Sequence, residues 1–368
     1  MLKRFQFEER DSGLTLSDLT FNALNLLVGY SGAGKTTILR LIQGVALMGS
    51  GRGRLKIDAS WEMVLQINGQ EVYWGAEMRA PKQDGDGNPT FIRETVRIGQ
   101  ELTVDRGEGR FLFQGRSLPR LKESESALSL LQDEDVLAPV HQFLSKIFLN
   151  RSVVLEQMAP IVPRALLNAL SERFHSFEEV RAGSLDPLLK FYVLQKEYPE
   201  AYERLFRLYS EIFEDVTWFG LVEEVAGAPE EEGKVVLVPA VKVRGVLVKG
   251  NGISAGMLKT WMYLLELYVA PPDSLIMIDE VENSLGANCL PQVCEAFGLR
   301  SDLQLILTSH HPQLISDVPL ANWKIVRRRG ATVSTVDAAD IKRLQTAFKE
   351  KFPVLLDVLE DMEEEAVS

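Results

Sequence analysis

Apolar and polar positions alternate along the first 28 residues in short runs, a pattern typical of β-strands. LKRFQFEE and LTLSDLTF are separated by a turn at Asp11, Ser12 and Gly13, and the apolar run LNLLV follows. After a helical pattern over residues 37–47, alternation returns in SWEMVLQING, EVYWGAEM, FIRETVRIGQELTV and GRFLFQG. The polar stretch RAPKQDGDGNPT between two of these runs predicts an exposed loop. Together the runs predict an antiparallel first lobe.

After Glu125 the spacing of apolar residues changes from that of a strand to that of a helix. ESALSLLQDEDVLAPVHQFLSKIF, PRALLNALSERF and DPLLKFYVLQKEYPEAYERLFRLYSEIF place apolar residues at helical spacing. Strand-like sequence returns with KVVLVPAVKVRGVLVK, and strands then alternate with helices. We therefore predict a discontinuous core over 1–150 and 234–340, a helical insertion lobe over 151–233, and a C-terminal helix with an acidic tail over 341–368. The tail sequence EDMEEEAVS is expected to be disordered.

The composition limits the class of protein. With 368 residues, 46% of them apolar, the chain can build one large or two ordinary domains. The net charge, 40 − 52 = −12, excludes a protein that coats nucleic acid over its whole surface. Local basic patches remain possible, although each is equally well explained as a solvated strand edge. The six residues in question are Arg52, Arg54, Lys56, Lys242, Arg244 and Lys249.

The chain has no apolar run long enough to span a membrane and no apolar core of signal-peptide length near Met1, so we expect a cytoplasmic protein without a membrane partner. The two cysteines, Cys289 and Cys294, stand five residues apart on a predicted helix and do not share a face. This spacing suits neither a disulfide framework nor a zinc site, so both are interpreted as buried apolar residues.

The stretch GYSGAGKTT, residues 29–37, fits the pattern G-x-x-x-x-G-K-[ST] between a strand and a helix. Its glycines let backbone N–H groups turn toward phosphate oxygens, and the helix start adds positive charge. The lysine is expected to reach the β- and γ-phosphates of ATP, and the following threonine to ligate Mg²⁺. A glycine turn with a solvated lysine is the alternative. The residues expected to contact the nucleotide are Gly29, Ser31, Gly32, Gly34, Lys35, Thr36 and Thr37.

Two adjacent carboxylates end the buried strand of SLIMIDE. Asp279 and Glu280 are costly there unless they serve a cation or a proton transfer. Asp279 is expected to hold Mg²⁺, and Glu280 to orient or deprotonate the attacking water. An ordinary acidic pair between a strand and a loop is the alternative.

Two weaker signals flank these carboxylates. In NGISAGMLKTW, Ser254 precedes a helix whose apolar residues fall on one face, which predicts an anion site at the helix start or a plain N-cap. The expected face contains Met257, Trp261, Leu264, Leu265 and Tyr268. After the strand LQLILT, His310 could contact the γ-phosphate or be a turn histidine with no role in binding.

Taken in order, GYSGAGKT, ISAGM, MIDEVENSL and TSHHP resemble the phosphate loop, signature, Walker B with its following D-loop, and switch histidine of the ABC-type ATPase heads of the SMC, RecF and OLD group. The resemblance implies an α/β fold, an ABC-type P-loop ATPase head with an antiparallel β lobe, a mainly parallel core sheet and a helical insertion. It also implies that Lys35, Glu280 and His310 are catalytic and that Thr36 and Asp279 hold the metal.

The same resemblance implies an oligomer. In the family, residues matching Ser254 and Gly256 touch the γ-phosphate of ATP bound to the opposite subunit, which implies a homodimer or higher homo-oligomer formed head to head through ATP. Several positions depart from the usual pattern, namely Ala255, Met257, Val281, Gly286 and His311. Gln157 is a weak match to the glutamine that senses Mg²⁺ in relatives, and a surface glutamine is the alternative.

Features that the sequence lacks limit which members of the SMC, RecF and OLD group it can resemble. No heptad stretch of SMC length lies between residues 40 and 250, and the 58 residues after His310 (368 − 310) are too few for a Toprim nuclease domain. MIDEVENSLGANC and LILTSHHPQLI are similar to stand-alone ATPase subunits of the Septu, retron-associated and PARIS phage-defence systems. This implies a sensor or scaffold that controls a separate nuclease or toxin. The alternatives are a RecF-like repair clamp that contacts DNA and a regulatory module with a slow or inactive ATPase.

Overall fold

The computed structural model describes residues 1–80, 88–107, 109–119, 122–150, 159–183, 185–225, 233–282, 300–347 and 351–367. The chain divides into two compact units. The first unit contains Met1–Leu149, Asp273–Glu280 and Leu303–Ser368, and the second contains Asn150–Pro272 and Val281–Asp302. The second unit therefore extends beyond the segment 151–233, which the sequence suggested as an insertion. None of the described helices is long and apolar enough to cross a membrane.

The described strands are numbered in chain order. They are β1 (Leu2–Glu9), β2 (Thr15–Thr20), β3 (Leu24–Val28), β4 (Ala59–Ile67), β5 (Gln70–Arg79), β6 (Thr90–Ile98), β7 (Glu101–Gly107), β8 (Arg110–Phe113), β9 (Arg116–Ser117), β10 (Ile147–Asn150), β11 (Ile161–Pro163), β12 (Val216–Val225), β13 (Lys234–Val243), β14 (Val246–Lys249), β15 (Leu275–Ile278), β16 (Gln304–Thr308), β17 (Trp323–Arg329) and β18 (Thr332–Asp337).

The α-helices of the described residues are numbered in the same way. They are α1 (Lys35–Gly49), α2 (Ala127–Leu130), α3 (Ala138–Ser145), α4 (Arg164–Arg173), α5 (Phe177–Ala182), α6 (Pro187–Glu197), α7 (Pro199–Ile212), α8 (Ala255–Val269), α9 (Pro312–Asp317), α10 (Lys342–Thr346) and α11 (Lys351–Val367).

The first unit is built on one long mixed sheet. Its strand order is β10-β15-β16-β3-β17-β18-β2-β1-β4-β5-β6-β7-β8-β9. The neighbours β15, β16, β3 and β17 are parallel. β15 and β16 are buried along their whole length, as are the last four residues of β3, which explains their unbroken apolar sequence. Because parallel strands end at one edge, the segments that follow them in the chain meet there.

The other half of this sheet is the antiparallel lobe that the alternating sequence predicts. β1 pairs with β4, and β4 to β8 form successive antiparallel pairs. One face is apolar, and the rings of Trp61 and Trp74 meet there edge to face at 5.5 Å. Glu94 is fully buried and accepts hydrogen bonds from the Ser126 hydroxyl and from the Ala127 N–H group. These bonds join the lobe to the start of α2, so Glu94 is a structural carboxylate.

Residues 125–148 are helical only in part, although their apolar residues fall at helical spacing. α2 ends at Leu130, α3 begins only at Ala138, and Ile147 and Phe148 lie in β10. β10 is the edge strand beside β15, and the Leu275 N–H group donates to the carbonyl of Lys146. Sheet pairing, a tertiary interaction, thus outweighs the local helical period.

The second unit has its own sheet and its own aromatic core. β13 lies between β11 and β12 and forms a hairpin with β14. The rings of Phe191, Phe219 and Trp261 lie 5.2–5.4 Å apart, and Tyr209 lies 4.7 Å from Phe219. α8 buries residues around its whole circumference, including Lys259 and Thr260. The expectation that α8 has a single apolar face was therefore wrong.

Glu266 of α8 is half-buried in the second unit, and its carboxylate accepts a hydrogen bond of 2.7 Å from the Asn150 amide. Burial raises the pKa of Glu266 from 4.5 to about 7, and the negative charge of Asp186 adds to the rise. Folding therefore takes up a proton between these two values. The contribution of Glu266 to stability is complete below pH 4.5 and is lost as the pH rises through 7.

We expect Glu266→Gln to remove this pH dependence. Glutamine can still accept the Asn150 hydrogen bond but is never ionised, so at pH 8 the variant should be more stable by up to about 3 kcal/mol. At pH 4 the two proteins should be nearly equal. Urea denaturation at both pH values measures the difference. Glu203→Gln, which removes an exposed carboxylate of α7, is the control and should give the same midpoint as the parent at each pH.

The C-terminal segment also differs from expectation. The tail EDMEEEAVS was predicted to be disordered, but α11 continues to Val367. Its Glu, Met and Ala residues have high helix propensity, and the helix has already been nucleated over residues 351–359.

Candidate functional site

The glycines of residues 29–37 are required by backbone shape and by packing. Gly29, Gly32 and Gly34 have φ values of 155°, 83° and 105°, a range that side chains disfavour. A Cβ atom on Gly29 would lie 2.6 Å from the carbonyl oxygen of Val326. A Cβ atom on Gly34 would lie 2.9 Å from a methyl group of Val333. The loop is therefore fixed against β17 and β18.

Lys35 occupies the mouth of this loop. Its side chain is 6% exposed, and its ammonium group donates to the carbonyl oxygens of Gly29 at 2.8 Å and Tyr30 at 2.9 Å. α1 begins at Lys35 and has no acidic residue in its first turn, so the positive end of the helix is not neutralised there. Ser31 and Gly32 are exposed, and Thr37 is half-buried. Backbone N–H groups, a helix start and an ammonium group together form an anion-binding site.

Asp279 lies between two threonine hydroxyl groups. The hydroxyl of Thr36, from the start of α1, donates to Oδ2 of Asp279 at 2.8 Å. The hydroxyl of Thr308, from the end of β16, donates to Oδ1 at 2.8 Å. The structure therefore brings Thr36 and Asp279 together, although 243 residues separate them in the sequence.

Glu280 has a strained backbone. Its φ value is 49°, in the left-handed region, which costs a residue with a side chain about 1–2 kcal/mol. Its N–H group donates to the Thr308 hydroxyl at 2.7 Å, and the residue is exposed. An exposed carboxylate beside an anion-binding loop can reach a bound ligand.

His310 and its neighbours follow the adjacent strand. Ser309 is 1% exposed, and its hydroxyl accepts the N–H group of His311 at 3.0 Å. This bond shapes the turn between β16 and α9. His310 is exposed, as Glu280 is, and the two residues follow the neighbouring parallel strands β16 and β15.

Three consecutive arginines add positive charge at the same edge of the sheet. Arg327–Arg329 end β17, and they line a cleft of about 180 Å³ together with Tyr30–Ala33 of the loop and Leu359 and Met362 of α11. Positive charge beside the loop favours a polyphosphate ligand. The run RRR after an apolar strand is visible in the sequence, but no motif in the sequence points to this cluster.

Ser254 lies in the second unit, where it caps α8. Its hydroxyl accepts the N–H group of Met257 at 3.2 Å, so the N-cap predicted from the sequence is present. Ser254 and Ala255 are exposed, and Gly256 is half-buried. The start of α8 is thus accessible to a ligand or to another protein.

The residues around Asp279 suit a magnesium ion held together with a nucleotide. Mg²⁺ prefers oxygen ligands, and here hydroxyl and carboxylate oxygens converge beside an anion-binding loop. Within the part of the chain that the structure describes, no three His, Cys, Asp or Glu side chains form a metal cluster.

Some residues discussed from the sequence lie outside the described ranges. These are Gln157, Gly286, Cys289 and Cys294. The basic patch at 242–249 is described, and two of its three cations are engaged in ion pairs. Arg244 pairs with Asp215, and Lys249 pairs with Glu224. This leaves Lys242 as the remaining exposed cation of that patch.

No protein-family model and no curated protein matches the sequence. Solved structures do match. One is an SMC head bound to the C-winged helix domain of ScpA, with a TM-score of 0.54, 13% identity, and coverage of 91% of this chain and 97% of that one. Another is the Smc head domain with an extended coiled coil bound to the C-terminal domain of ScpA, derived from Pyrococcus furiosus, with a TM-score of 0.50, 13% identity and coverage of 98% and 99%. The predicted α/β fold class is confirmed, and the chain has the fold of an SMC head.

Proposed function

We propose that this protein binds and hydrolyses ATP and dimerises head to head around it. The observation that carries the proposal is the carboxylate of Asp279, held by Thr36 and Thr308 beside a preformed phosphate loop. A plain glycine turn or an ordinary acidic pair requires no such convergence. The similarity in fold to SMC heads gives independent support.

Each residue of the loop has a role in binding. The backbone of Gly29, Ser31, Gly32, Gly34 and Thr37 surrounds the phosphates. Lys35 leaves the carbonyl groups that it now contacts and binds the β- and γ-phosphates.

Thr36 and Asp279 would hold Mg²⁺, which would neutralise charge on the phosphates when bound. Glu280 accepts a proton from the attacking water as the water oxygen bonds to the γ-phosphorus and the bond to the β-phosphate oxygen breaks. His310 contacts the γ-phosphate and helps to fix that water.

The second half of the site comes from another protomer. Ser254 is exposed and Gly256 half-buried at the start of α8, and the helix start binds the γ-phosphate of ATP held by the partner. ATP then joins the two protomers, and its hydrolysis separates them. The assembly is a homodimer or a higher homo-oligomer.

We expect Ser254→Arg to prevent dimerisation without preventing ATP binding to one protomer. The arginine places a bulky side chain where the partner's phosphate would lie. Its ATP affinity should stay within about threefold of the parent, because the phosphate loop is untouched. In light scattering the protein should keep the protomer mass when ATP is added. Mixed with Lys35→Ala protein, it should recover hydrolysis, because one variant supplies the phosphate loop and the other supplies the signature.

The control for this variant is Ser176→Arg. It removes another N-cap of the second unit, at the start of α5, and so matches the loss of helix capping. Normal dimerisation by Ser176→Arg and none by Ser254→Arg supports the composite site. An ATP-dependent dimer formed by the Ser254→Arg protein would remove the signature assignment.

The cellular role that we propose is that of a sensor or scaffold controlling a separate nuclease or toxin in bacterial defence against phage. The similar solved heads were captured with a protein partner, ScpA, which supports a head that engages another protein. The ion pairs of Arg244 and Lys249 reduce the positive charge available for a RecF-like DNA clamp.

A pull-down from the native cells tests this role. Glu280→Gln protein with ATP is the bait, and Lys35→Ala protein is the matched bait that lacks nucleotide. A stoichiometric nuclease or toxin recovered only with the first bait supports the defence role. DNA with repair proteins and no dedicated partner would overturn it in favour of the clamp.

A further inference from the structure

Thr308 is a buried side chain at the centre of the site, and the motifs assign it no role. It is fully buried at the end of β16. The register places it beside Asp279, because Ile278 pairs with Leu307 and both strands run in the same direction. Its hydroxyl donates to Oδ1 of Asp279 and accepts the N–H group of Glu280. One hydroxyl therefore holds both adjacent acidic residues.

The bond to Glu280 holds a backbone that would otherwise relax. A φ of 49° is unfavourable for glutamate, and extended backbone would continue β15 and redirect the side chain. In the observed turn the N–H group of Glu280 donates to the Thr308 hydroxyl at 2.7 Å. The direction of the Glu280 side chain thus depends on an atom of the neighbouring strand.

The two carboxylate oxygens of Asp279 have different hydrogen-bond partners. Oδ2 faces Thr36, the residue that we assign to the metal, and Oδ1 faces Thr308. Thr308 can therefore keep its bond to Oδ1 when Thr36 turns to a ligand. Partners of this kind fix the orientation of a ligating carboxylate, and their loss typically costs about 10- to 100-fold in metal affinity or activity.

We propose that Thr308 is a positioning residue of the ATPase site. Its hydroxyl fixes the carboxylate of Asp279, which we assign to the metal, and the orientation of Glu280, which we assign as the general base. This inference rests on the proposed function. Thr308 acts by holding Asp279 and Glu280 in one arrangement.

Two variants distinguish the positioning role of the Thr308 hydroxyl from the effect of its side-chain packing. Thr308→Val keeps the shape of the side chain and removes the hydroxyl, whereas Thr308→Ser keeps the hydroxyl and removes a methyl group. We expect Thr308→Val to lower kcat by about 10- to 100-fold and to raise the Mg²⁺ concentration for half-maximal ATP binding by about tenfold. Its KM for ATP at saturating Mg²⁺ should change by less than about threefold. Thr308→Ser should remain within about threefold of the parent in all three quantities, although it loses more packing.

A further readout needs neither nucleotide nor metal. In the free protein, hydrogen exchange at the amide of Glu280 should be about tenfold or more faster in Thr308→Val than in the parent, because its acceptor is lost. Thr308→Ser should protect this amide as the parent does. Unchanged exchange and unchanged kcat in Thr308→Val would overturn the inference. So would equal losses in a folded Thr308→Ser, which would indicate packing alone.

The outcomes distinguish this inference from the function on which it rests. If the parent binds and hydrolyses ATP and Thr308→Val matches it, only the role of Thr308 is wrong. If the parent neither binds nor hydrolyses ATP, the proposed function is wrong. If Thr308→Val fails to fold, the activity of Thr308→Ser still tests the role of Thr308. A folded Thr308→Ser protein that has lost ATP hydrolysis contradicts the inference.

Discussion

Replacing Glu280 by glutamine is expected to lower the rate of ATP hydrolysis by roughly 100-fold or more while leaving ATP binding intact. Glutamine has nearly the same shape and leaves the backbone N–H group bonded to Thr308, but it cannot accept the water proton. Phosphate release and binding of a fluorescent ATP analogue measure the two effects separately.

The control for this change is Asp273→Asn, which removes an exposed carboxylate just before β15. It should hydrolyse ATP at the parent rate. Hydrolysis by Glu280→Gln at the parent rate would show that another group is the base and would remove Glu280 from the mechanism.

Replacing Lys35 by alanine is expected to abolish ATP binding at ordinary nucleotide concentrations. In the proposed complex the ammonium group would make charge-assisted contacts to two phosphates, and losing them should weaken binding by roughly 100- to 1000-fold. The fold should survive, because the contacts of Lys35 in the free protein are to carbonyl groups of its own loop. Titration calorimetry measures the affinity.

Arg40→Ala is the matched control, since Arg40 is an exposed cation on the same helix. It should bind ATP within about twofold of the parent. Equal affinities of the Lys35→Ala and parent proteins would show that the nucleotide is not held by this loop.

The glycine loop before α1 and the position of the paired carboxylates after β15 could be predicted because their signals are local. Gly29, Gly34, Lys35 and Thr36 have a fixed spacing between a strand and a helix, and the structure supplies the reason for the glycines in the contacts to Val326 and Val333. The antiparallel lobe and the buried strands β3, β15 and β16 followed from apolar periodicity in the same way, whereas their parallel pairing was implied by the family resemblance.

Thr308 was missed because its role depends on strand pairing. Twenty-nine residues separate it from Asp279, and the two meet only because β15 and β16 are parallel neighbours in one register. The same dependence on long-range pairing explains β10, whose sequence has a helical period. The burial of α8 on all sides likewise depends on what surrounds it, and no pattern within the helix specifies that.

Sedimentation velocity of Glu280→Gln protein, with and without ATP and Mg²⁺, tests the central claim most directly. The account predicts that the protein sediments with the mass of one protomer of 41.2 kDa without nucleotide and with twice that mass when both are present. The shift should be absent when ADP replaces ATP. A protein that binds ATP tightly and keeps the mass of one protomer would contradict the ATP-joined dimer.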